Sequence, residues 1–200
     1  DGNQALPVPM TIEQKLDFFE MLVNIGFKEI EVGYPSSNDT EYAFVRKLIE
    51  ENRIPNDVKI QVLSQARENL VIKTMKALQG AGGAVFHLYN ATSPVQRKFT
   101  FNKSKSELIE MATQGVKNVK KHLHLAGTTK IQLEYSPEDF SSTESDFAVE
   151  ICSAVFSEWQ PTAENPLIIN LPSTVERASP NVYADQVEFF IQKLKEKNNS

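Results

Sequence analysis

Hydrophobic and polar positions alternate along the chain with two different periods. A helical period begins after Thr11, with Leu16, Phe19 and Leu22 on one face, and Gln14 completes a capping-box pattern with Thr11. Strand patterns and further helical patterns then follow each other, separated by turn residues. They predict strands at residues 28–34, 58–64, 84–90, 130–135 and 167–171, and helices at about 11–26, 39–52, 67–79, 104–123, 143–159 and 181–195.

This alternation predicts a parallel sheet with right-handed crossovers. Five strands and six helices, starting after a strand and stopping after a helix, favour a partial TIM (β/α)8 barrel, a fold that typically takes about 250 residues. We therefore expect residues 1–200 to be part of one catalytic α/β barrel domain that lacks its first strand and its last strands. The alternative is a self-contained five-stranded open sheet, which would leave an exposed edge.

Composition narrows the class of function. The 200 residues are 40% hydrophobic and 24% charged, which is typical of a globular chain. A net charge of -5 argues against nucleic-acid and anionic-membrane partners, and no apolar run is long enough to cross a bilayer. The single cysteine, Cys152, excludes an internal disulfide and fits a reducing compartment. Its place in an apolar helical pattern favours a buried structural role over a nucleophilic one.

Polar side chains gather toward the C-terminal ends of the predicted strands. Because alternate strand residues face opposite sides, parity identifies the polar face. Its residues are Glu29, Glu31, His87, Tyr89, Gln132, Glu134, Ser136, Asn170, Pro172, Thr174 and, if the chain stays extended across Pro137, Glu138. Buried carboxylates, an imidazole and amides at one end of a sheet are costly unless they hydrogen-bond, bind a metal or hold a polar ligand. The pattern favours a functional role for His87, Glu138 and Thr174.

Each of these side chains also has a purely structural interpretation. His87 can be a satisfied core histidine, Glu134 one member of a buried ion pair, and Thr174 a partner for loop backbone groups. The pair His122 and His124 lies at a helix end, where positions i and i+2 point about 200° apart, so we do not expect the two rings to bind one metal ion.

Five motifs, in order along the chain, resemble those of the 2-isopropylmalate synthases, and most closely the long form of that family. They are residues 1–6 (DGNQAL), 26–33 (GFKEIEVG), 87–93 (HLYNATS), 134–138 (EYSPE) and 170–176 (NLPSTVE). Homocitrate and citramalate synthases share the barrel and the acyl-CoA chemistry, but they usually carry Glu where this chain has Asn3. They are the alternative assignment.

The resemblance implies a Claisen-type condensation of acetyl-CoA, the co-substrate, with 2-oxoisovalerate. Thioester hydrolysis then gives 2-isopropylmalate, the first committed step of leucine biosynthesis. It further implies a divalent metal bound by Asp1, with Mg²⁺ or Mn²⁺ expected and Zn²⁺ as the alternative. A homodimer is also implied, located in the cytoplasm or, if the source is a fungus, in the mitochondrion.

By matched motif, the resemblance assigns catalytic roles to Glu138 and His87, and Glu138 is the candidate base for the acetyl methyl group. Residues that would bind the keto acid are Leu63, His87, Tyr89, Ser136, Glu138, Pro172 and Thr174. The family's Arg before Asp1, its His-x-His pair, a later Asn ligand and its leucine-sensing regulatory domain are missing from this sequence. We therefore expect the 200 residues alone to be inactive, and a non-catalytic fragment of such a barrel is the alternative function.

Overall fold

The computed structural model describes residues 2–198 and confirms the alternation of strands and helices. Within that range the strands are β1 (Glu29–Gly33), β2 (Lys59–Gln65), β3 (Gly83–Ala91), β4 (Lys130–Glu138) and β5 (Leu167–Ile169). The α-helices are α1 (Ile12–Ile25), α2 (Asp39–Glu50), α3 (Glu68–Ala77), α4 (Lys105–His122), α5 (Ser145–Trp159) and α6 (Pro180–Asn198). The predicted number of strands and helices is therefore confirmed for the described part of the chain.

Helix α1 begins and ends where its sequence signals lie. The Thr11 hydroxyl accepts a hydrogen bond from the Gln14 N–H at 3.3 Å, and the Gln14 side chain accepts one from the Thr11 N–H at 2.9 Å. Gly26 ends the helix in the left-handed conformation, with φ of 109°, and its N–H donates to the carbonyls of Leu22 and Val23. Both ends of α1 are thus set by residues that lie within the helix or directly next to it in the sequence.

The strands form one sheet in the order β1-β2-β3-β4-β5, and the pairs β1 with β2 and β4 with β5 are parallel. The register of β1 shifts between Glu31 and Gly33, which marks a bulge. Gly33 has φ of 144°, and a Cβ atom at this position would overlap the carboxylate of Glu41. Only glycine therefore fits at the end of β1 without a rearrangement.

The chain divides into two compact units. The first contains the residues up to His87 together with Lys121–Gln132, and the second contains Leu88–Lys120 together with the residues from Leu133 onward. Fully buried side chains of the first core include Val45, Leu48, Ile60, Val62, Val71 and Met75. Fully buried side chains of the second core include Leu88, Leu108, Val116, Leu133, Ile151 and Val155. Each unit therefore has an apolar core of its own.

Several stretches differ from their predicted structure, and β5 ends at Ile169, two residues earlier than predicted. Strand β4 continues past residue 135 to Glu138, so the chain does stay extended across Pro137. Residues Gln96–Phe101, for which the sequence predicts no helix, form a π-helical segment. The extension of β4 brings Glu138 to the end of the strand, where the parity argument requires it.

The structure also bears on the predictions for Cys152 and for membrane-spanning segments. Cys152 lies fully buried in α5, and burial raises the pKa of its thiol far above the ordinary value. A thiol in this state is a poor nucleophile, which confirms its structural role. No helix within residues 2–198 is both long and apolar enough to cross a membrane.

Candidate functional site

Glu31, Gln61 and His87 form a hydrogen-bonded cluster in the first unit. The Nδ1 atom of His87 lies 2.6 Å from Oε2 of Glu31, and the Gln61 amide donates to the same oxygen at 2.9 Å. His87 is only 7% exposed, so the contact is largely shielded from solvent. A carboxylate accepts but does not donate, which assigns the proton in this contact to Nδ1. The cluster therefore fixes both the tautomer and the orientation of the His87 ring.

The charge on Glu31 is set by opposing effects. Burial raises the pKa of the Glu31 carboxyl, but the hydrogen bond from His87, the charge of that ring and the hydrogen bond from Gln61 together bring it below the ordinary value. Glu31 is consequently a carboxylate at neutral pH. An imidazole held by a carboxylate is the arrangement in which a histidine can be aimed at a reacting group.

A cavity of about 720 Å³ lies among α1, β1 and α2 of the first unit. Its wall is mainly apolar and includes Leu63, which the family resemblance assigns to keto-acid binding, and also Glu31. Lys15 and Glu41 form an ion pair on the wall, and Lys15 is only 6% exposed. A cavity of this volume is large enough for a small organic molecule. It connects Leu63 with the carboxylate that holds His87.

In the second unit, Ser136 is held by Asn170, the residue that follows β5. The side-chain amide of Asn170 donates to the Ser136 hydroxyl at 2.8 Å, and the Asn170 N–H donates to the Tyr135 carbonyl at 3.0 Å. Ser136 is buried, whereas Tyr89 and Pro172 are both partly exposed. Among the predicted keto-acid contacts of this unit, the Ser136 hydroxyl is thus held in place, while the side chains of Tyr89 and Pro172 are accessible to solvent.

Glu138 is the last residue of β4 and is partly buried. Burial and the neighbouring charge of Asp139 both raise the pKa of the Glu138 carboxyl above its ordinary value. The hydroxyl of Thr174 accepts a hydrogen bond from the Asp139 N–H at 3.1 Å, which places Thr174 next to the same turn. A carboxyl whose pKa is moved toward neutrality is suited to take up and release a proton.

The predicted site residues fall into two sets. Leu63 and His87 belong to the first unit. Those of the second unit are Tyr89, Ser136, Glu138, Pro172 and Thr174. Asp1, the predicted metal ligand, lies outside the described residues.

Three residues that contact the predicted site residues were not assigned a functional role from the sequence. Glu31 and Gln61 hold His87, and Asp139 lies between Glu138 and Thr174. The parity of the first strand did place Glu31 on the polar face, and this was the available signal. Gln61 has the same strand parity as Leu63, so the same signal was available for it, whereas nothing in the local sequence indicates that Asp139 takes part.

The described residues do not by themselves form a metal centre. Within residues 2–198, no group of three or more His, Cys, Asp or Glu side chains could hold a metal ion. At the end of α4, His122 Nε2 contacts Glu68 Oε1 at 2.9 Å, while His124 Nδ1 contacts the Lys121 carbonyl at 3.0 Å. The two imidazoles are therefore directed to separate protein partners.

The alternation of parallel strands and helices, with polar groups at the strand ends, defines an α/β protein of the TIM-barrel class. The chain belongs to the HMGL-like family, whose model matches residues 1–199. With five of the strands present in one sheet, the fold is part of a (β/α)8 barrel, as the sequence predicts.

Several curated relatives carry the same name. The chain is 55% identical over 97% of its length to a 2-isopropylmalate synthase of Clostridium acetobutylicum. It is 53% identical over 100% of its length to one of Acetoanaerobium sticklandii, and 52% identical over 100% to one of Desulfitobacterium hafniense. The chain spans 35%, 35% and 36% of these three relatives, respectively.

Proposed function

We propose that the polypeptide containing this chain is an acyltransferase that condenses acetyl-CoA with 2-oxoisovalerate, giving 2-isopropylmalate and CoA. This would be the first committed step of leucine biosynthesis. The observation that carries the proposal is the 55% identity, over 97% of the chain, to a protein named 2-isopropylmalate synthase. The five motifs distributed along the chain that resemble those of this family also support it.

The proposed reaction requires controlled proton transfer. A proton leaves the acetyl methyl group, a carbon–carbon bond forms between that carbon and the ketone carbon, and the ketone oxygen gains a proton. Water then cleaves the thioester and releases the thiol of CoA. Glu138 is the residue we propose for proton transfer, and the support is its raised pKa at the end of β4. His87, held by Glu31, would contact the keto acid or orient the reacting groups.

The remaining predicted residues would recognise the keto acid. Leu63 would contact its isopropyl end, and the support is its position on the wall of the cavity. Tyr89, Ser136, Pro172 and Thr174 complete the proposed contacts. One methylene in such a pocket changes binding by only about 1–3 kcal/mol, so the choice among keto acids has to be measured directly.

A divalent cation, Mg²⁺ or Mn²⁺ with Zn²⁺ as the alternative, remains part of the proposal through the family resemblance. The described residues alone do not fit such an ion, because they contain no suitable group of ligands. The proton-transfer and recognition roles above are therefore assigned without it. A homodimer in the cytoplasm likewise belongs to the proposal through the resemblance.

The test is acetyl-CoA turnover, followed by release of free thiol, with 2-oxoisovalerate, 2-oxoglutarate and pyruvate compared in the presence of Mg²⁺ or Mn²⁺. It is carried out on the natural polypeptide that contains these residues and, in parallel, on residues 1–200. Turnover selective for 2-oxoisovalerate is expected for the former and no turnover for the latter. A preference for 2-oxoglutarate or pyruvate would instead identify a homocitrate or citramalate synthase.

A pair of variants tests the role of Glu138 in the same assay. Glu138→Gln is expected to lower kcat by about 10²–10⁴-fold, the range typical for loss of a general acid or base. Glu110→Gln, on the exposed surface of α4, is the matched control and should leave kcat unchanged. Equal activity of the two variants would exclude Glu138 as the proton-transfer residue.

A further inference from the structure

Asp139 adopts a backbone conformation that is uncommon for residues with a side chain. Its φ is 60° and its ψ is 42°, in the left-handed region, and it directly follows Glu138 at the end of β4. Asp and Asn tolerate this conformation better than most residues, but it still has to be held by surrounding contacts. We call Asp139 and the three hydroxyl side chains that bond to it, those of Ser142, Thr143 and Thr174, the Asp139 corner.

Hydrogen bonds occupy the backbone and the carboxylate of Asp139. Its N–H donates to the Thr174 hydroxyl at 3.1 Å, and its carbonyl accepts from the Thr143 hydroxyl at 2.8 Å. Its Oδ1 accepts from the Ser142 hydroxyl at 2.7 Å. Three side chains thus hydrogen-bond to Asp139, whereas an exposed turn needs no such side-chain bonds to close.

A second layer connects the corner to the end of β3. The Thr92 N–H donates to the Glu138 carbonyl at 3.1 Å, and the hydroxyls of Thr92 and Thr143 are 2.7 Å apart. The Thr92 hydroxyl also donates to the Glu138 carbonyl at 3.1 Å, so both hydroxyls of this pair bond to backbone carbonyls at the end of β4. Thr92, Asp139 and Thr143 are all buried, so these bonds are protected from competition with water.

The corner is also anchored by packing. Phe140, the residue after Asp139, is buried and meets the rings of Phe190 and Tyr183 edge-on, with centroid distances of 5.6 and 6.2 Å. Both partners lie on α6. The backbone on the C-terminal side of Glu138 is consequently fixed by hydrogen bonds and by an aromatic cluster.

We infer that the Asp139 corner is a positioning device that sets the direction of the Glu138 carboxyl group, with Thr143 as its central hydroxyl. The inference rests on the proposed function, in which Glu138 transfers a proton. Thr174 acts through Asp139 in this arrangement, and because its oxygen accepts the Asp139 N–H, its own proton is left to donate to a substrate oxygen. Burial and, after it, the charge of Asp139 raise the pKa of Glu138, and Ser142 fixes the position of the Asp139 carboxylate.

The test compares Thr143→Val with Thr143→Ser in the natural polypeptide. Valine keeps the shape of threonine but lacks the hydroxyl, whereas serine keeps the hydroxyl. We expect Thr143→Val to lower kcat by about 10–100-fold, since small displacements of a reacting group have effects of this size. KM for 2-oxoisovalerate should change by less than about threefold, and Thr143→Ser should restore most of kcat.

Thr113→Val is the matched control, because it removes a hydroxyl that donates to the carbonyls of Ile109 and Glu110 in its own helix, at 3.0 and 3.1 Å. It should lower thermal stability slightly and leave kcat unchanged. If Thr143→Val retained the wild-type kcat, or lost activity only in proportion to its folded fraction, the corner would have no positioning role.

A second readout does not depend on turnover. The carboxyl carbon of Glu138, assigned by comparison with Glu138→Gln, can be titrated by ¹³C NMR. In Thr143→Val its pKa should move from the raised value back toward the ordinary 4.5, because a carboxyl whose direction is no longer fixed becomes better solvated and is less constrained relative to the Asp139 charge. A wild-type protein inactive with all three keto acids would refute the proposed function alone. An unchanged titration in Thr143→Val would overturn the positioning role whether or not the protein is active.

Discussion

The hydrogen bond between Tyr135 and Asn90 is expected to contribute substantially to the stability of the second unit. The Tyr135 hydroxyl donates to Asn90 Oδ1 at 2.8 Å, both side chains are buried, and Asn90 Nδ2 has no hydrogen-bond partner among the described residues. Tyr135→Phe would leave the whole Asn90 side-chain amide unpaired. A lost hydrogen bond contributes about 0.5–1.5 kcal/mol, and an unsatisfied buried group costs about 1–3 kcal/mol. We therefore expect the free energy of unfolding to fall by about 2 kcal/mol.

Urea unfolding followed by tryptophan fluorescence measures this change, because Trp159 is the chain's only tryptophan and is buried in the same unit. The double variant Tyr135→Phe/Asn90→Leu replaces both polar partners by apolar groups and should recover about half of the loss. Tyr42→Phe, which alters a partly exposed ring in the first unit, serves as the control. A loss below about 0.5 kcal/mol in Tyr135→Phe, or strict additivity in the double variant, would refute the reasoning.

Two further predictions concern the first unit. Gly33→Ala should lower the free energy of unfolding by more than about 1 kcal/mol, because φ is positive at this position and the new Cβ would overlap the Glu41 carboxylate. Gly82→Ala, which has open space around it, should change the free energy of unfolding little, and thermal unfolding of both variants measures the difference. Glu31→Gln should lower the free energy of unfolding by about 1–2 kcal/mol at pH 7, because the carboxylate's bond to His87 is lost. Since the folded pKa of Glu31 is lowered from 4.5, its contribution is present above that pH and is lost as the pH falls through the folded pKa. The stabilities of wild type and variant should therefore converge in acid, and a difference that does not shrink as the pH is lowered would contradict this.

Much of the fold could be predicted because its determinants are local. The Thr11 and Gln14 capping box and the Gly26 stop are contained within the segment that they bound, and the structure has both. The π-helical segment Gln96–Phe101 could not be predicted, because a π turn has no distinctive apolar period. The end of β4 was placed too early, since proline normally interrupts a strand and Pro137 does not.

The residue types of the candidate site could be predicted from the sequence, but the side-chain contacts between them could not. Parity placed Glu31 and His87 on polar faces of different strands, yet their contact depends on the register of those strands and on the bulge next to Gly33. Register across a sheet is set by long-range packing, which one sequence without its structure does not reveal. The Asp139 corner has the same origin, since Thr92 and Thr174 reach it from distant parts of the chain.

The buried thiol of Cys152 can report local unfolding of the second unit. It is the chain's one cysteine, it is fully enclosed in α5, and burial keeps it protonated. A thiol reagent in solution can react with Cys152 only while local unfolding exposes α5. The labelling rate therefore measures how often α5 unfolds under native conditions. No cysteine has to be introduced, and the first unit, which has no cysteine, does not contribute to the signal.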